Sequence, residues 1–179
     1  MGRRETEKAV RDIARPVIEE MGMSLVEVKF AKEGPEWLLR LIIFKGEGVG
    51  LADCEAVSLR ISPLLDEIDL MQAPYNLEVS SPGLERVLKS DEEYAIFAGR
   101  RIAVSTYTPF GEYGREIRGT LLGLAEAESS LGPQPATKVV KVCTGPGQEA
   151  AIPVSMVASA RLDEVDLPGK GKGRGGRRK

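Results

Sequence analysis

Two adjacent serines, Ser80 and Ser81, followed by Pro82 and Gly83, break off the alternating start of the stretch LEVSSPGLERVL. A serine on a sharp turn can act as a nucleophile, but that chemistry needs a G-x-S-x-G frame and a histidine base. The frame is absent, and the chain contains no histidine. Histidine-ligated metal sites are excluded on the same ground. Cys54 and Cys143 form no CxxC pair, which rules out a zinc ribbon and reads as two reduced thiols of a cytosolic protein. A phosphate cradle would need successive exposed amides opening a helix, and Pro82 removes one of them. What remains is a turn that leaves one domain, with Ser80, Ser81, Glu85 and Arg86 as a polar strip at a junction. Pro82-Gly83 is the pair a type II turn prefers, and Ser81, preceding proline, should prolong the strand by one residue.

Other charged clusters are weaker. Asp66, Glu67 and Asp69 lack the spacing of an oxygen-ligand calcium loop and read as the solvated end of a helix. Asp53 and Glu55 suit the positive start of that helix, with Asp53 as its N-cap. GKGRGG, 171–176, matches G-x-G-x-x-G but follows no strand and opens no helix, so dinucleotide binding is rejected. An enzyme using carboxylates or Lys45 as a base is a minor alternative. The residues call for no cofactor and no small-molecule substrate.

Charge is unevenly distributed. The formal net charge is −2, yet the last twelve residues contain Lys170, Lys172, Arg174, Arg177, Arg178 and Lys179 and no acid. Residues 1–167 therefore hold nineteen basic against twenty-seven acidic residues, a net charge of −8. An acidic body with a basic tail points to a basic protein partner for the body and to non-specific RNA contact for the tail. No apolar run is long enough to span a bilayer and no secretion signal opens the chain, so the expected location is the cytoplasm, with no membrane contact.

The elements that would position these residues follow from periodicity. Val10, Ile13, Ala14, Val17, Ile18 and Met21 form one helical face, closed by Gly22, with Pro16 expected to kink it. SLVEVKFAK alternates as a strand, and WLLRLIIFK returns after a turn at Gly34-Pro35 as a central strand covered on both faces. Val57, Ile61, Leu64, Leu65 and Ile68 form a second helical face, and Tyr75, Leu77 and Val79 a third strand. The order α-β-β-α-β puts two helices on one face of a small sheet. Beyond it, Ser90 caps a short helix ended by Gly99. RRIAVSTY, REIRGTLLGL, TKVVKVC, EAAIPV and VASARL then follow as short strands of a small antiparallel barrel or sandwich. The loops 108–114 and 125–137 should be exposed and mobile, and the chain from Pro168 disordered.

LEVSSPGLERVL closely resembles the signature of the bacterial ribosome maturation factor RimP family. The resemblance extends to DCEAVS at 53–58, to Leu65-Asp66, to FAGR ending at Arg100, and to Gly119-Thr120-Leu121, Ile152-Pro153 and Ala160-Arg161-Leu162. It covers about residues 6–163, with Leu70 and Val87 standing where prolines are usual and a longer loop at 125–137. The resemblance implies an α+β domain with a KH-like sheet over 1–88 and an SH3-like or Sm-like barrel over 89–166, and the composition leaves a disordered basic tail over 167–179. It implies a non-enzymatic assembly factor for the small (30S) ribosomal subunit, with ribosomal RNA and a basic ribosomal protein as partners. Ser80, Ser81, Pro82, Gly83, Glu85, Arg86 and Arg100 would make the subunit contacts. The alternative is a free-standing RNA-binding or translation-regulating module.

Overall fold

The computed structural model describes residues 2–68, 71, 73–127 and 137–163. The chain divides into two compact units, Met1–Gly83 and Leu84–Lys179. The unit boundary falls a few residues before the expected 88/89 junction.

In the first unit the helix α1 (Arg3–Glu20) buries Val10, Ala14 and Ile18 completely. Its end is a Schellman motif: the Gly22 N–H donates to the Glu19 carbonyl and the Met23 N–H to the Ile18 carbonyl. Gly22 has φ 74°, which costs glycine nothing. Pro16 lies inside one uninterrupted helix with its ring exposed, where the lost bond to the Asp12 carbonyl can be replaced by water.

Strands β1 (Ser24–Glu33) and β2 (Glu36–Phe44) pair antiparallel, and β3 (Tyr75–Ser80) pairs parallel with β2, giving the order β1-β2-β3. The parallel return requires a crossover, supplied by helix α2 (Leu51–Ile68). Leu39, Leu41 and Ile43 on β2 are fully buried in one core with Val10, Ala14 and Ile18 of α1 and Val57, Ile61 and Leu65 of α2. The other face of β2 differs from the expectation of cover on both sides. Ile42 is buried there, but Leu38 is only partly covered, and Arg40 between them forms ion pairs with Glu78 and Glu33. An apolar residue on either side of one arginine makes a one-faced strand read as two-faced.

Helix α2 starts at Leu51, ahead of the expected cap at Asp53. Asp53 sits in the first turn, and its carboxylate accepts the Gly50 N–H at 2.9 Å and faces Lys45 Nζ at 3.2 Å. These contacts hold its carboxyl below the usual carboxylate range, the Gly50 hydrogen bond contributing most. On the outer edge of the sheet, the Phe30 N–H of β1 donates to Glu7 Oε1 at 2.9 Å.

The second unit opens with helix α3 (Asp91–Ile96), capped by Ser90 as expected. Five strands follow: β4 (Arg101–Thr106), β5 (Glu116–Ala127), β6 (Thr137–Gly145), β7 (Gln148–Pro153) and β8 (Val157–Leu162). They form an antiparallel sheet in the order β7-β6-β5-β4-β8, and among the described residues no pairing of β7 with β8 closes it into a barrel. Its core contains Phe97, Ile102, Val104, Ile117, Leu121, Val142, Ile152 and Leu162. Gly119 marks a close approach between β5 and β6, since a Cβ there would stand 2.2 Å from the Cys143 carbonyl oxygen.

The aromatic loop after β4, expected to be mobile, is folded on itself. The Phe110 N–H donates to the Gly114 carbonyl, the Phe110 and Tyr113 rings stack, and the Tyr113 hydroxyl lies 3.4 Å from that of Thr144. Most of the loop at 125–137 and the whole basic tail lie outside the described residues.

Candidate partner-binding segment

Strand β3 brings Ser80 opposite Ile42 and ends there, so Ser81 does not extend it. The Ser80 side chain lies on the same strand face as Glu78 and helps to lower its carboxyl pKa, while Glu78 accepts from Arg40 at 2.8 and 3.1 Å. The Arg40 guanidinium is the main reason the Glu78 carboxyl sits below its usual range. Ser81 and Gly83 are exposed and Pro82 partly so. Gly83 has φ 79°, the left-handed value expected of it, and a Cβ there would meet nothing within 4 Å. The turn itself lies two residues later than expected, at Leu84 and Glu85.

Beyond the turn the chain joins the second unit as a short extra strand. Val87 bridges Arg161 of β8, flanked by hydrogen bonds from the Leu88 N–H to the Ala160 carbonyl and from the Leu162 N–H to the Arg86 carbonyl, both 2.8 Å. Glu85, exposed, reaches Arg161 at 3.5 Å.

Arg86 is not a surface group. Its side chain is 8% exposed and that of its partner Glu93 is 5% exposed. Arg86 Nη2 donates to Glu93 Oε1 at 2.8 Å and Nε to Oε2 at 3.3 Å, while the Lys89 N–H also reaches Oε2. A planar guanidinium matched to a carboxylate in this way satisfies both ions where water cannot. Arg86 therefore pins residues 84–88 to helix α3, and its role is positioning. Sequence spacing did not reveal Glu93 as the partner, because an interval of seven residues across a turn follows no regular period.

Arg100, also expected at the interface, follows Gly99 in the link between α3 and β4 and is partly buried. Its carbonyl accepts the Leu121 N–H at 2.8 Å, so its backbone belongs to the sheet frame. The structure thus keeps Ser81, Gly83 and Glu85 at the surface and withdraws Arg86. The tail residues Lys170, Lys172, Arg174, Arg177, Arg178 and Lys179 are outside the described residues.

Two exposed apolar side chains flank this segment and were not singled out from the sequence: Leu84 at 60% and Val87 at 45% exposure. Val87 and Leu88 also line a cleft of about 240 Å³ against Val157, Ala158 and Ser159 of β8 and Tyr94 of α3. Apolar groups beside polar backbone suit protein contact better than catalysis, which needs convergent titratable groups. Among the described residues no group of three or more acids or cysteines could hold a metal ion. No helix in the described residues is long and apolar enough to cross a membrane. In comparison with known families, residues 13–85 match the model described as the RimP N-terminal domain.

Proposed function

On the premise that its first unit belongs to the RimP N-terminal domain family, we propose that this chain is a non-enzymatic factor in maturation of the small ribosomal subunit. The family match carries this reading. It covers residues 13–85, from within α1 to the turn at Leu84 and Glu85. In this reading the five-stranded unit serves as an SH3-like or Sm-like module, and the protein works in the cytoplasm on the 30S subunit without cofactor or small-molecule substrate.

The acidic body supports contact with a basic ribosomal protein, and the basic tail supports contact with ribosomal RNA. Ser80, Ser81, Pro82, Gly83 and Glu85, together with Arg100, would contribute the specific contacts, and Arg86 would hold the segment that presents them. Leu84 and Val87 would add apolar area.

Co-sedimentation with immature small-subunit particles, mature small subunits and naked ribosomal RNA tests the proposal. Preferential binding to the immature particle is the expected result. Equal binding to bare RNA would replace it with a free-standing RNA-binding module, and binding to none of the three would remove the ribosomal role.

A further inference from the structure

A second cleft, of about 390 Å³, lies wholly within the first unit, where β2 and β3 begin side by side. Trp37 and Tyr75, direct neighbours in the β2–β3 register, line it together with Pro35, Pro74, Glu36 and Asn76. Phe30 stacks on Trp37 with ring centroids 4.7 Å apart but does not itself line the cleft. The tryptophan is thus braced by a second ring while it borders open space.

The cleft is acidic as well as aromatic. Glu36 Oε2 accepts from Asn76 Nδ2 at 2.6 Å, which fixes the carboxylate at the rim. Burial raises the Tyr75 phenol above its usual range and the charge of Asp66 raises it further, so a second carboxylate acts on the ring. Lys32, the strand partner of Trp37 on β1, does not line the cleft. The first unit as a whole contains ten basic and fifteen acidic residues.

We propose that the cleft bordered by Trp37, Tyr75 and Glu36 receives an arginine side chain from an extended basic segment of a partner protein. A guanidinium stacks on aromatic faces and forks onto carboxylates, and this cleft offers both beside each other. Nucleic acid is disfavoured, since a phosphate entering the cleft would meet the charge of Glu36 and no basic side chain lines it. The prolines make a rigid rim that needs little ordering on binding. The inference deepens the assembly-factor reading, on which it rests for the source of the basic segment.

The chain has one tryptophan, so its emission reports on this cleft directly. Titration of the full-length protein with an oligoarginine peptide should shift Trp37 emission in a saturable way. Oligolysine should bind more weakly, and a neutral proline-rich peptide and a short single-stranded RNA should leave the emission unchanged. Glu36→Gln, at an exposed position, should melt like the parent and weaken oligoarginine by about tenfold, the worth of one charge-assisted hydrogen bond. Tyr75→Leu should weaken it by about three- to thirtyfold through removal of the ring face.

An unmoved emission, an unchanged affinity in Glu36→Gln, or an equal response to the neutral peptide or the RNA would overturn the proposal. A large gain in peptide affinity on deleting residues 168–179 would also overturn it, by making the chain's own basic tail the occupant. Because the titration uses peptide alone, failure of the protein to bind small subunits would count against the assembly reading and not against the cleft.

Discussion

Arg86 and Glu93 meet through two hydrogen bonds, 2.8 Å and 3.3 Å, with both side chains almost wholly withdrawn from solvent. Breaking such a pair by deleting one partner leaves a buried charge uncompensated. Arg86→Ala should therefore destabilise the protein by about 3–5 kcal/mol. Replacing both ions with apolar residues of similar size, Arg86→Met with Glu93→Leu, should recover most of that deficit. Denaturant unfolding of the full-length variants measures both, and a single variant as stable as the parent would contradict the positioning role.

Gly83 tests the path of the chain separately from its packing. Its φ of 79° is poor for a β-branched residue, yet a Cβ there would touch nothing. Gly83→Val should cost at least about 1 kcal/mol through backbone strain alone, and Gly83→Asn clearly less. If residues 80–85 contact the subunit, Gly83→Val should also reduce co-sedimentation by more than its lower stability explains. Normal binding by this variant would make the segment a plain connector.

Gly119 faces the opposite situation, with no positive φ but no space. A methyl group would fall 2.2 Å from the Cys143 carbonyl oxygen and 2.7 Å from Val142 Cγ1. Backbone cannot yield as a flexible side chain does, so Gly119→Ala should cost about 1–3 kcal/mol. Hydrogen exchange should show faster opening of β5 and β6 amides in this variant than in the parent.

The acid limb of stability should depend on two carboxylates whose folded pKa values lie below the ordinary range, Asp53 and Glu78. A depressed pKa means that the stabilisation is present above the unfolded-state pKa and disappears as the pH falls through the folded one. The protein should thus weaken below about pH 4. Asp53→Asn and Glu78→Gln should each lower stability at neutral pH and flatten the acid fall. Urea midpoints collected across the acid range for parent and variants read this directly.

Much of the architecture could be read from periodicity. The faces Val10-Ala14-Ile18 and Val57-Ile61-Leu65, and all five strands of the second unit, follow spacings that any buried surface imposes. What periodicity could not supply was pairing across distance. Trp37 and Tyr75 become neighbours only through the parallel β2–β3 register, with a whole helix between them in sequence. Glu93 looked like one more acid in a helix's first turn until the chain folded Arg86 onto it. The start of α2 was misplaced for a related reason, since an aspartate that accepts the Gly50 amide looks alike whether it is the cap or lies within the first turn.

Removing residues 168–179 should make the salt dependence of subunit binding shallower, by about 0.7–0.9 in log–log slope for each phosphate that the tail neutralises in the full chain. Binding measured across a salt series for the full and shortened chains gives that slope. An unchanged slope would mean that the tail touches no RNA.

The bond from the Phe30 amide to Glu7 has a consequence for how the protein behaves at high concentration. Strand β1 borders its sheet, and an open border of backbone donors is a template on which other chains can add strands and grow into fibrils. Glu7 occupies the amide at Phe30 and puts a carboxylate over the most aromatic part of that border. Glu7→Ala would free that donor beside two stacked rings, and the resulting chain should aggregate more readily even where its fold is intact.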